Sequence, residues 1–83
     1  MYTLALKQSA RKELAKLDKD LQERIGQTFE SLKLNPFQGK ELRAELKGFR
    51  VVRVWPYRIV YEIVKQELIV FVVEVAHRKD AYR

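Results

Sequence analysis

Apolar and polar positions along the chain change period from segment to segment, and each change marks an element. Residues 2–6 (Tyr-Thr-Leu-Ala-Leu) are short, apolar and partly alternating, which predicts an opening strand. The period then becomes helical: Ala10, Leu14 and Leu17 fall at i, i+4 and i+7, with Ser9 placed to cap the helix. Asp20 with Glu23 reads as a capping box in which Asp stands in for Ser or Thr. It opens a second helix striped by Leu21, Ile25, Phe29 and Leu32. Asn35-Pro36 ends that helix, because the residue before a proline is pushed out of the helical region. So short a link between the helices predicts an antiparallel hairpin.

Residues 35–47 form a polar connector with Phe37, Leu42 and Leu46 as apolar anchors. Three strands follow, at 49–54, 57–64 and 67–76, turning at Trp55-Pro56 and at Lys65-Gln66. Turns this tight make adjacent strands antiparallel. The order β-α-α-β-β-β predicts an α+β fold of two layers, a helical hairpin on one face of a mainly antiparallel sheet. Strand parity assigns Tyr57, Ile59, Tyr61 and Ile63, with Ile69, Phe71, Val73 and Val75, to the helix side. The opposite face then carries Arg58, Val60, Glu62 and Val64 beside Leu68, Val70, Val72 and Glu74. Exposed Val60, Val64, Leu68, Val70 and Val72 on so small a protein suggest a surface that a partner covers. On 49–54, parity leaves open whether Arg50 or Arg53 points outward.

Composition bounds the rest. At 83 residues the chain forms one domain, residues 1–83, with no repeat, linker or low-complexity segment. Cysteine is absent, so there is no disulfide scaffold and no thiolate zinc site, and one histidine builds no metal site without carboxylates. The expectation is a metal-independent protein without cofactors. Charge throughout the first thirty residues argues against a signal peptide, and the longest apolar run, 68–73, has the length of a strand; a cytoplasmic location is expected. The net charge of +6 favours an anionic partner, nucleic acid or acidic protein. That charge is spread as +2 in each of 1–34, 35–50 and 51–83, so a basic patch must be made by folding.

The densest chemical grouping is the C-terminal run 74–83, which supplies His77, Arg78, Lys79, Tyr82 and Arg83. With Arg58 and Arg53 from neighbouring strands it has the residue types of a phosphodiester site. Guanidinium binds phosphate bidentately and neutralises a pentacoordinate transition state, and imidazole exchanges protons near neutrality. Plainer readings stand beside this one. Arg58 is placed to pair with Glu62 or Glu74, His77 to be a solvated surface residue, and Tyr82 to anchor the tail by packing. Trp55 either stacks a base or shields the hairpin end. Tyr57, Tyr61 and Phe71 read as core, and Lys7, Lys12, Lys16 and Lys19 as a solvated helix face.

The stretches Asn35-Pro36-Phe37-Gln38-Gly39, 46–54 (Leu-Lys-Gly-Phe-Arg-Val-Val-Arg-Val), Tyr57-Arg58-Ile59-Val60-Tyr61 and 75–82 resemble the RelE/ParE superfamily of toxins from toxin–antitoxin systems. The resemblance covers nearly the whole chain. It implies a RelE-like toxin that cleaves messenger RNA, on the ribosome in the RelE branch, and is silenced by an acidic antitoxin in a hetero-oligomer. The implied functional residues are Arg58 in the third strand, Arg53 in the second, His77 and Arg78 after the last, and Tyr82. Lys47, Arg50, Lys79 and Arg83 border that site as RNA-backbone contacts. Val60, Val64, Leu68, Val70 and Val72 become the antitoxin surface. Two departures stand out: Phe49 and Val51 occupy the positions of a lysine pair in the best-known RelE branch. Lys40 and Glu41 fall where a related branch has a connector glutamate. ParE-like members, which poison DNA gyrase, and a catalytically inactive RNA-binding member are the alternatives.

Overall fold

A computed structural model describes residues 1–79. The elements are β1 (Thr3–Leu6), α1 (Gln8–Ala15), α2 (Lys19–Leu34), β2 (Lys40–Glu41), β3 (Phe49–Val54), β4 (Tyr57–Val64) and β5 (Ile69–His77), in an α+β arrangement. The strands form one sheet in the order β1-β5-β4-β3-β2, parallel between β1 and β5 and antiparallel elsewhere. Both helices lie on one face. Among the described residues no helix is long and apolar enough to cross a membrane.

The core forms where the helical stripes meet that face: Ala10 of α1 and Ile25, Phe29 and Leu32 of α2 are buried against Ile59, Tyr61, Val70, Val72 and Val75. Burying a side chain of this size contributes roughly 1.5–3 kcal/mol, so these few residues carry most of the folding free energy. Both predicted caps need correction. Asp18, not Asp20, begins α2, its carboxylate accepting the Leu21 N–H at 2.9 Å. Asp20 instead sits in the first turn, where a negative charge favours the helix dipole. α1 follows β1 directly with Lys7 at its N-cap and no side-chain cap, so Ser9 lies inside the helix.

Strand parity fails on the first half of β5, while Val75 is buried as expected. Val70 and Val72, expected on the exposed face, are 0% exposed and lie in the core. Ile69 and Phe71, expected inside, pair with Val64 and Glu62 on the uncovered face and are only half-buried. A register shift near Val60/Tyr61 pairs Val60 with Glu74 but Tyr61 with Val72. Val73 is thus an extra residue that switches the parity of everything after it. The turn before β5 also differs: a 3-10 turn at Lys65–Glu67 and Leu68 at φ 56 replace the predicted two-residue turn.

In the connector, Phe37 and Leu46 are exposed rather than anchoring. The anchor is Tyr61, whose buried hydroxyl donates to the Pro36 carbonyl at 2.6 Å and accepts the Gly39 N–H at 3.0 Å. Gly39 is required there, since a Cβ would collide with the Tyr61 hydroxyl oxygen. Arg50 holds the same loop from the other side, donating to the Gly39 carbonyl at 2.8 Å and the Phe37 carbonyl at 3.3 Å.

Candidate functional site

The register that buries Ile59 and Tyr61 turns Arg53 and Arg58 to the opposite, uncovered face. The two arginines are direct cross-strand partners, and Arg58 has Ala76 of β5 on its other side. Like charges directly opposite one another destabilise a sheet pair, by up to ~1 kcal/mol. The two open-face glutamates are paired elsewhere in the ladder, Glu62 with Phe49 and Phe71, Glu74 with Val60. Two cations on one rung give this part of the open face a positive character.

Just beyond β5 the chain folds back over the β3–β4 turn. The Arg78 N–H donates to the Pro56 carbonyl at 2.8 Å, and its guanidinium lies 4.9 Å from the centroid of the Trp55 ring. From α2, Arg24 Nη2 donates to the Trp55 carbonyl at 2.9 Å. Together these contacts close a small cleft of about 90 Å³ lined by Arg53, Trp55, Pro56, Tyr57, Arg58 and Arg78. Neither Arg53 nor Arg78 forms an ion pair with a described carboxylate. Three guanidiniums lining a notch of this size have the chemistry to hold an anion such as a phosphate group.

Of the residues predicted from sequence, Arg53, Arg58 and Arg78 meet at this cleft. His77 does not line it. Its Cα partner is Tyr57, so it sits on the helix side of the sheet, the rings edge to face at 5.3 Å. Its Nδ1 accepts the Lys79 N–H at 3.2 Å, and it lines a separate hollow with Lys7, Ser9 and Glu13. Lys79 is exposed beside Arg78. Arg50, expected as an RNA contact, faces the helix side, with its guanidinium on two connector carbonyls and 5.3 Å from the Phe37 ring. Lys47 lines a different hollow with Lys40 and Arg43. Tyr82 and Arg83 lie outside the described residues. Of the predicted docking surface, Leu68 is exposed and Val60 and Val64 are half-buried. Tyr57 and Arg24 were not legible as site residues. Parity marked Tyr57 as core, and nothing in a helix sequence indicates which arginine reaches a distant turn.

Residues 4–82 match the family described as the ParE toxin of the type II toxin–antitoxin system. Toxin RelG of Mycobacterium tuberculosis is 34% identical over 84 residues, covering 99% of this chain and 97% of that protein. In structure, the toxin–antitoxin complex RelBE2 from the same organism contains a chain with a TM-score of 0.85 and 32% identity, covering 93% of this chain and 98% of that one. The intact Escherichia coli RelBE toxin–antitoxin complex contains one with a TM-score of 0.82 at 22% identity, covering 93% and 96%, which bears on the fold alone. The same two helices on a mixed five-stranded sheet, matched almost end to end, place this chain in the RelE/ParE superfamily of toxins from type II toxin–antitoxin systems.

Proposed function

We propose that the protein is an endoribonuclease that cuts messenger RNA on the ribosome, by attack of a ribose 2′-OH on the adjacent phosphorus. The observation that carries this reading is the meeting of Arg53, Arg58 and Arg78 at one cleft on the uncovered face. In the reaction the O2′–P bond forms and the P–O5′ bond breaks. The 2′-OH gives up a proton and the leaving 5′-oxygen gains one, leaving a 2′,3′-cyclic phosphate and a 5′-hydroxyl. Negative charge builds on the non-bridging oxygens, and preorganised guanidiniums act on that charge. His77 and Tyr82 are the proposed proton carriers. With Nδ1 of His77 accepting from Lys79, Nε2 is the nitrogen left for the task. Because Tyr57 stands between that ring and the cleft, His77 should matter less than the arginines.

Silencing would come from an acidic antitoxin in a hetero-oligomer, a reading supported by the toxin–antitoxin complexes named above. Val60, Val64 and Leu68 are the proposed contacts; Val70 and Val72 are withdrawn because they are core. Lys47, Lys79 and Arg83 remain proposed RNA-backbone contacts. One observation favours a gyrase-directed, ParE-like toxin instead: His77 stands apart from the arginine cleft.

The test is single-turnover cleavage of messenger RNA on a programmed ribosome, with circular dichroism confirming each variant's fold. Arg58→Ala and Arg78→Ala should each fold and each lose ~10²–10³-fold in rate, the usual cost of one transition-state donor. Full activity in both folded variants would remove the proposed site.

A further inference from the structure

Trp55 is the chain's single tryptophan, and it is 61% exposed. Burial therefore does not explain it. Yet its surroundings hold it in place from several directions. The ladder closes directly beneath the turn, with Val54 opposite Tyr57. Arg24 of α2 holds the Trp55 carbonyl, and the Arg78 guanidinium lies 4.9 Å from the ring centroid. One face of the indole lies against a cation, and more than half of the residue stays open to solvent. The same ring lines the cleft that contains Arg53 and Arg58.

An exposed indole at a cleft lined by three arginines matches the alternation of single-stranded nucleic acid, in which each base is followed by a phosphate. We propose that Trp55 is the stacking platform for a nucleobase of the substrate strand. The base lies on the indole face turned away from Arg78, and the adjoining phosphate meets Arg53 and Arg58. This inference rests on the RNA reading above for the identity of the strand, and adds the subsite that sets its register in the cleft. Every base has a flat π face, so Trp55 contributes affinity and position rather than base identity. Arg78 then serves both groups, as the cation covering one side of the indole and as a donor at the phosphate.

Because no other tryptophan is present, intrinsic fluorescence reports this ring alone. The probe is a short 2′-O-methyl RNA oligonucleotide, which cannot be cut because its nucleophile is blocked. The control is an abasic oligomer of the same length and charge. The base-bearing strand should quench the fluorescence and the abasic one should not. Trp55→Ala, which removes an exposed side chain and leaves the core intact, should bind the base-bearing strand roughly 5- to 150-fold more weakly, and Trp55→Phe should recover most of the loss. Equal quenching by both oligomers, quenching by neither, or unchanged affinity in Trp55→Ala overturns the proposal. Cleavage does not enter this readout. Stacking without cutting would keep the subsite and remove the nuclease reading, whereas cutting without quenching would do the reverse.

Discussion

On the helix-covered face of the sheet, Ile59, Tyr61, Val70, Val72 and Val75 are sealed from water, and the polar atom in their midst, the Tyr61 hydroxyl, has both a donor and an acceptor partner. On the uncovered face, a few ångströms through the same backbone, Arg53 stands directly opposite Arg58, two cations on one rung of the ladder. The first arrangement follows from burial. The second does not, and it gathers cations on a face that the helices leave open. Where packing fixes a residue, mutation should cost folding; where it does not, mutation should cost activity.

The largest effect should follow from changing the uncovered face. Arg58→Ala should lower cleavage by ~10²–10³-fold, equivalent to roughly 3–4 kcal/mol of transition-state stabilisation. Arg53→Ala should also slow cleavage while leaving the unfolding free energy in urea within ~0.5 kcal/mol of wild type, since the side chain is exposed and away from the core. A marked loss of stability in Arg53→Ala would show that the pair is structural and erase the contrast between the faces.

The reciprocal experiment acts on the covered face. Tyr61→Phe leaves the Gly39 N–H and the Pro36 carbonyl without their buried partner and should cost about 1–3 kcal/mol in urea unfolding. Burial raises the Tyr61 phenol above its ordinary 10.0, with smaller lowering effects from the Gly39 N–H and Arg50. The folded state thus holds this proton more tightly than the unfolded chain. The resulting stabilisation is complete below the ordinary phenol value and lost as pH rises through the raised one. Wild type should lose stability in that alkaline range, and the Tyr61→Phe variant should lack that part of the decline. Identical alkaline profiles would place the phenol in water.

His77→Ala should reduce cleavage less than tenfold, since Tyr57 separates its ring from the cleft. A loss of ~10²-fold or more would show the imidazole moving a proton in the reaction. The smallest effect belongs to the turn before β5, where exposed Leu68 adopts a left-handed φ of 56. Leu68→Asn should stabilise by up to ~1 kcal/mol, because Asn tolerates that conformation better. A destabilised variant would mean that Leu68 is held by packing.

The same contrast explains what was legible in the sequence. β3 and β4 were read to the residue because alternation in β4 and the proline turn leave one register. β5 was not, because residues 68–73 are apolar without a break. Parity carries no information in such a run, and only pairing with β4 and the extra residue Val73 decides it. Asp18 lost to Asp20 in the reading because both precede an apolar stripe at capping distance. At the site, Arg58 and Arg78 followed from residue type and resemblance. Arg53 needed the register to choose its face. Parity carries His77 to the helix side with Val75, where the structure has it, and its grouping with the cleft arginines came from residue type and resemblance alone. The exposure of Trp55 was invisible: a tryptophan at a turn reads alike whether it covers a core or waits for a ligand.

Whether the arginine cleft serves RNA cleavage is decided by the fate of messenger RNA on a ribosome programmed with one codon in the A site and mixed with wild-type protein. A cut should appear at that codon, with an upstream fragment that ends in a 2′,3′-cyclic phosphate and a downstream fragment that begins with a 5′-hydroxyl. Intact messenger RNA, with DNA gyrase inhibited by the same preparation, would contradict it.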